Sequence, residues 1–357
     1  MEVSKLTLFN VRVYERKSFE FSEKVNLISG ANAQGKTTIL EALFVCAVGR
    51  SFRTAQNSEL VRRESPGFAI EIQYQKCSVE QEIKVCGSPA ERYVVLNGTR
   101  QNISALQGGL TAVASTPDDI HLVKGSPSFR RDYLDLQLMQ TDPLYSHHFK
   151  RYNKALKQRN SLLRLRSNDT LDNWEYELAH SAAYIIEKRL ALLEALSPLC
   201  SAIYGHLVNS ANSLTFKYKP GISLPAAAKT DLREHLRALW HTQRHRDMFA
   251  ETTLSGPHKD DFTINLAEMD LRNFGSQGEQ RTAALTLKLA EWEQIKHSHD
   301  GEKPLLLLDD IGYGLDAQRQ QRLVVWLQGA GQVFLTTTHP DALLQSEGVR
   351  HFQTSLG

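Results

Sequence analysis

Cysteine is scarce. The chain of 357 residues has four, Cys46, Cys77, Cys86 and Cys200, scattered and never spaced as C-x-x-C. That argues against a disulfide framework and a cysteine-built zinc site, and it fits a reducing compartment. Long apolar runs are missing too. No uninterrupted apolar stretch reaches membrane-spanning length, and the N-terminus has no apolar core of the kind a secretion leader carries. A cytoplasmic protein without a membrane partner is the expectation. Net charge is nearly absent: 42 Lys and Arg against 40 Asp and Glu leave +2. Any nucleic-acid binding must therefore come from a local patch. There is no internal repeat and no low-complexity run. With 23% charged residues the composition is that of a globular protein, and the length implies about two domains.

What the chain does have is Gly30-Ala31-Asn32-Ala33-Gln34-Gly35-Lys36-Thr37, which fits G-x-x-x-x-G-K-[ST]. Lys24–Ser29 ahead of it alternates like a strand, and Thr38–Phe44 behind it reads as a helix. Strand, glycine loop and helix are the context a phosphate-binding loop requires. Backbone N–H groups from Gly30 to Thr38 would cradle the phosphates of ATP. Lys36 would reach the β- and γ-phosphates, and Thr37 would place its hydroxyl on Mg²⁺.

Strand-like runs at Leu6–Tyr14, Phe68–Tyr74, Glu80–Cys86 and Arg92–Asn97, with turns at Cys86–Pro89 and Asn97-Gly98, predict an antiparallel β subdomain. From about Phe129 to Ala250 the pattern is helical. Asp172–Leu196 carries a broad apolar face, limited by Pro198. Leu305–Leu308 and Val333–Thr337 are apolar enough for strands buried on both faces. The expected architecture is an α/β ATPase domain from residues 1–120 and 250–357, with a helical lobe, 121–249, inserted.

Leu305–Leu308 ends in Asp309-Asp310, a hydrophobic strand closing on acids. Asp309 would hold Mg²⁺ and Asp310 would orient or deprotonate the attacking water. Ser276-Gln277-Gly278-Glu279-Gln280 ahead of a helical run resembles the signature motif of ATP-binding-cassette ATPases. Asp316 and His339 fall where that class carries its D-loop acid and switch histidine. The resemblance implies that Ser276, Gln277, Gly278 and Asp316 serve the nucleotide held by a second protomer. A head-to-tail homodimer would then form with ATP at its interface, with Lys36, Asp310 and His339 as the catalytic set.

Lys36 and Ser276 stand 240 residues apart. Transporter subunits keep the motifs much closer, and chromosome-structural relatives insert a much longer coiled coil. The intermediate length resembles the RecF recombination-mediator family. So do Gly49–Thr54, Thr116–Ile120, Lys124-Gly125, Arg130–Asp135, Tyr152–Asn160, Gly256–Asp261 and Ser276–Arg281. The resemblance covers essentially the whole chain. It implies an α/β P-loop ATPase of the cassette type, acting in DNA repair, recombination, replication recovery and the SOS response. Its implied partners are duplex DNA, gapped single-strand/double-strand junctions, RecR and RecO, with RecA loading as the outcome and weak, DNA-stimulated ATP hydrolysis. One departure stands out: Tyr313-Gly314 precede Leu315-Asp316 where the family carries Ser-Glu.

Lys150, Arg151, Lys154, Lys157, Arg159, Arg164 and Arg166 crowd one helix-like stretch around Tyr152, with Arg130 and Arg131 shortly before. Such a face can neutralise phosphates; on charge alone it is equally a solvated helix surface. Arg130, Arg131, Lys150, Arg151, Lys154 and Lys157 are the candidate DNA contacts. Arg233, Arg237, Arg244 and Arg246 are interleaved with acids and read as a structural face. A transporter subunit and a non-hydrolysing scaffold are the competing readings.

Overall fold

Alternating burial of Leu6 and Leu8, with Val3 and Val11 also inside, makes β1 (Glu2–Val11). The chain turns at Arg12-Val13 and returns as β2 (Tyr14–Glu20), with Val11 opposite Tyr14. One strand was expected across this point. The turn is built by Asn10 (φ 53°) and Arg12 (φ 52°) in left-handed backbone, without the Gly or Pro that marks such turns in sequence. This is a computed structural model, and it describes residues 1–354 other than 55, 211, 226–230, 300, 311–314 and 339–348. β3 (Val25–Ser29) leads to α1 (Lys36–Val48). Then β4 (Phe68–Lys76), β5 (Val79–Gly87), β6 (Arg92–Leu96) and β7 (Thr99–Gln101) continue the antiparallel sheet in the order β2-β1-β4-β5-β6-β7. β8 (Ala112–Ser115) is wholly buried.

Next come α2 (Ile120–Lys124), α3 (Pro127–Thr141), α4 (Pro143–Arg164) and the 38-residue α5 (Leu171–Val208). Pro198 was expected to end α5 and does not. Its ring and Glu194, four residues before, are both exposed, so water can take the carbonyl that Pro leaves without a donor. Beyond it Cys200, Ile203, Tyr204 and Leu207 are buried, which holds the helix together. By length and apolarity alone α5 could cross a membrane. It reads instead as a core helix, because Glu175 and Arg189 on it are buried in ion pairs. β9 (Leu214–Lys219) interrupts the expected helical stretch; Leu214, Phe216 and Tyr218 alternate as a strand requires. α6 (Leu232–Phe249), β10 (Asp261–Leu266), β11 (Met269–Asp270) and the single turn α7 (Leu271–Phe274) follow, and the strands form a small sheet, β11-β10-β9.

α8 (Gln277–Ser298), β12 (Leu305–Leu308), α9 (Ala317–Leu327), β13 (Val333–Thr337) and β14 (Val349–Gln353) complete the chain. β14-β3-β13-β12-β8 is an all-parallel sheet. α1 contacts both this sheet and the antiparallel one, which is why Thr38 through Ala47 are all buried and the helix has no polar face. Two compact units result. One is Met1–Ile120, Ala202–Ala211 and Gln277–Gly357; the other is His121–Ser201 and Asn212–Ser276. The second boundary thus falls at Ser276 rather than 249, because β10 pairs with β9 from Asp261↔Lys219 to Leu266↔Leu214 and carries residues 250–276 with the helical unit.

Candidate functional site

β3 delivers the chain into the loop Gly30–Gly35, which is bent by left-handed backbone at Ala33 (φ 64°) and Gly35 (φ 86°). At Gly35 only hydrogen fits: a Cβ would lie 2.6 Å from the Tyr14 hydroxyl oxygen. Tyr14 donates to the Gln34 carbonyl at 3.3 Å, and burial pushes its phenol up to about 12. The Gln34 side chain accepts from the Ala31 N–H at 3.0 Å. Lys36 folds its ammonium back onto the carbonyls of Gly30 (2.6 Å) and Ala31 (2.8 Å), so its charge hangs over the loop.

β12 ends at Leu308, and the two acids follow. Thr37 Oγ1 donates to Asp309, 3.0 Å from each carboxylate oxygen, and Thr336 Oγ1 of β13 donates to Oδ1 at 2.6 Å. The Asp309 N–H bonds the Ser115 carbonyl of β8 at 2.8 Å. α1, β8, β12 and β13 therefore all fix this one residue. Burial pushes its carboxyl up, and the Thr336 and Thr37 hydroxyls pull it partly back. Asp310, at φ 51°, donates its N–H to Thr336 Oγ1 at 2.8 Å. A hydroxyl and a carboxylate held face to face are the hard oxygen donors that suit Mg²⁺. Asn32 through Thr38, Asp309, Asp310 and Thr336 line a cavity of about 420 Å³, a size that suits a small ligand.

Thr336 carried no site assignment from sequence, and neither did Glu41, Arg12 and Arg53. Glu41, fully buried in α1, accepts from Arg12 Nη2 at 2.7 Å and from Ser51 Oγ at 2.5 Å, with Arg53 Nη1 at 3.6 Å. Arg12 and Arg53 line the same cavity as the phosphate loop and add cationic character to it. Arg53 lies in the Gly49–Thr54 stretch that carried part of the family resemblance. Arg12 sits in a turn that no motif marks.

The other described residues expected to serve a nucleotide lie outside this cavity. Ser276 and Gln277 are exposed at the start of α8. Asp316 caps α9, accepting from the Arg319 N–H at 2.9 Å, and is exposed. Gln277, Gly278 and Asp316 are not among the residues lining the phosphate cavity. His339 and the departure at Tyr313-Gly314 lie outside the described residues.

The candidate DNA contacts divide sharply. Arg130 is buried: Nε meets Asp261 Oδ1 at 2.6 Å, and Nη1 donates to the carbonyls of Leu122 and Gly125. Arg131 donates to the Asp260 carbonyl at 2.9 Å, and Arg151 pairs with Glu177. Arg159 is wholly buried against Glu175 and Asp247, and Tyr152 is buried with its hydroxyl on His258. Arg130 is thus corrected from a DNA contact to an internal partner, because a buried side chain so committed cannot also neutralise phosphates; Arg131 and Arg151 are tied to neighbours but stay partly exposed. Arg244 pairs with Asp172 and Glu175, a structural role as expected. Lys150, Lys154 and Lys157 remain, exposed on one face of α4 with Arg164.

The model of the RecF/RecN/SMC N-terminal domain matches residues 2–354. The chain is 42% identical over 345 residues to the DNA replication and repair protein RecF of Protochlamydia amoebophila, covering 96% of each chain. A solved structure of the recombination mediator protein RecF with ATP, of the RecFOR pathway, is similar at TM-score 0.88 and 32% identity, covering 99% of this chain and 95% of that one. An Smc head domain from Pyrococcus furiosus, at 17% identity, TM-score 0.56 and coverage of 99% and 94%, shares the fold.

Proposed function

The chain belongs to the RecF family, and on that premise we propose that it is an ATP-dependent DNA-binding protein of recombinational DNA repair and replication recovery. The observation that carries the reading is the convergence of Lys36, Thr37, Asp309 and Thr336 on one cavity. Gly30 through Thr38 hold the phosphates of ATP, with Lys36 moving its ammonium from loop carbonyls to phosphate oxygens. Thr37 and Asp309 hold Mg²⁺, whose positive charge relieves the burial of the Asp309 carboxylate. Asp310 orients the attacking water.

The signature residues Ser276, Gln277 and Gly278, with Asp316, complete the site of a second copy, so ATP acts as a dimerisation switch. The pathway named for the solved relative supports RecO and RecR as partners; the outcome in this reading is RecA loading at gapped DNA. Lys150, Lys154 and Lys157 contact duplex phosphates. Hydrolysis is slow, DNA-stimulated and catalysed by the Asp310 carboxylate, with His339 at the γ-phosphate.

Steady-state ATP hydrolysis across protein concentration, with and without duplex DNA at low salt, tests this. DNA stimulation and a steeper than linear dependence on protein are expected, both lost in Lys36→Ala and Ser276→Arg. A DNA-indifferent rate proportional to protein concentration would count against the dimer.

A further inference from the structure

Arg319 lies in the first turn of α9, outside the cavity that holds the phosphate loop. Its side chain is only 22% exposed, although it comes three residues after the 57%-exposed Asp316. Its Nε lies 3.3 Å from Asp316 Oδ2, while the Arg319 backbone N–H donates to Asp316 Oδ1 at 2.9 Å. At the other end of the guanidinium, Nη1 donates to Thr282 Oγ1 at 3.2 Å. The Thr282 hydroxyl in turn donates to the Gly278 carbonyl at 2.8 Å, and a Cβ at Gly278 would stand 3.5 Å from the same Nη1. One planar cation thus joins the acid that caps α9 to the first turn of α8. Two segments 38 residues apart in sequence, Gly278 and Asp316, are tied through a single side chain.

The fork matters more than the charge. A guanidinium offers donors in two directions from one rigid plane, whereas a lysine ammonium is one point on a flexible stem. We propose that Arg319 is a positioning residue: it fixes the spacing between the Asp316 carboxylate and the start of α8, so that both reach the nucleotide of a second copy of this chain as one body. The inference rests on the ATP-sandwiched dimer proposed above. Gly278 and Asp316 do not line their own phosphate cavity, so in a sandwiched dimer their relative placement acts where a partner's nucleotide is met. There a misplacement of about 1 Å can lower a rate by roughly 100-fold.

Arg319→Gln keeps a polar side chain and removes the fork; Arg319→Lys keeps the charge alone; Thr282→Val removes one acceptor and serves if the arginine variants fold poorly. Three quantities are read on the full chain: affinity for a fluorescent ATP analogue at high dilution, ATP-induced dimerisation by light scattering, and hydrogen exchange without nucleotide of the amides at 281–284, which bond the carbonyls of the first turn of α8. Arg319→Gln is expected to bind the analogue as wild type does. Its dimerisation should weaken about 10-fold, and the amides at 281–284 should exchange about 10-fold faster, the scale of one lost charge-assisted hydrogen bond. Arg319→Lys should restore neither, and Thr282→Val should shift both in the same direction by less.

Wild-type dimerisation and wild-type exchange in a folded Arg319→Gln would overturn the inference, as would full rescue by lysine. A fall in melting temperature alone, with both readouts unchanged, would reduce Arg319 to a structural role and overturn it too. If wild type does not dimerise with ATP, the sandwich reading fails and the positioning role fails with it. The exchange measurement then reports separately whether the guanidinium joins the two segments.

Discussion

Asp309, the proposed Mg²⁺ ligand, carries a cost to the fold. It is reached by hydroxyls from Thr37 and Thr336, and burial still holds its carboxyl above the usual range. For an acid whose pKa is raised on folding, the folded state favours the protonated form. Stability is greatest below the unfolded pKa and declines as pH rises through the folded one. At neutral pH the nucleotide-free protein therefore carries an unfavourable buried charge. Asp309→Asn should raise its melting temperature by roughly 2–4 °C while abolishing Mg²⁺-dependent ATP affinity. Calorimetry with and without Mg-ATP checks both, and a lowered melting temperature would refute the account. The pattern G-x-x-x-x-G-K-T and the acids after Leu308 made these residues legible in sequence. Arg12 and Arg53 were not, because their place at the cavity depends on Glu41, which no linear motif pairs with them.

At the scale of elements, much of the family resemblance in the helical unit resolves into an internal ionic core. Arg130, Asp135, Arg159 and the Gly256–Asp261 stretch came to notice as motifs. Arg189 of α5 binds Asp135, Asp260 and the Pro257 carbonyl, and Arg159 of α4 binds Glu175 and Asp247. Alternating charge along α6 hid the fact that Asp247 faces inward while Arg246 faces out. His258 belongs to the same core, accepting at Nδ1 from the Tyr152 hydroxyl (2.6 Å) and donating from Nε2 to the Thr253 carbonyl (3.0 Å). Acceptance at Nδ1 requires a neutral ring, and burial pulls its pKa from 6.5 down to about 4. Between those values the unfolded chain binds the proton that the folded chain refuses, so the stability it contributes is complete above 6.5 and is lost as pH falls toward 4. The loss is on the order of 3 kcal/mol. Urea denaturation at pH 7 and pH 5 should show a decline that His258→Gln flattens; an equal decline in the variant would place the acid sensitivity elsewhere.

For the whole molecule, a net charge of +2 leaves DNA binding to a local surface. Once the committed arginines are removed from the candidates, Lys150, Lys154 and Lys157 stand at helical spacing on an exposed face of α4. Replacing all three with alanine should weaken duplex binding at every sequence and lower the slope of log affinity against log salt by about 3. ATP hydrolysis without DNA should stay at its wild-type rate, and an unchanged salt slope would move the DNA surface elsewhere. The sequence by itself determined the phosphate loop, the strand ending in Asp309 and the return of the chain's end to the nucleotide domain, because each is set by local pattern or by motif order. Only the tertiary structure decided that β9 and β10 pair and carry residues 250–276 into the helical unit, that α5 continues through Pro198, and which arginines are buried in ion pairs. Those outcomes depend on what a segment meets across the fold, and residue spacing does not encode that.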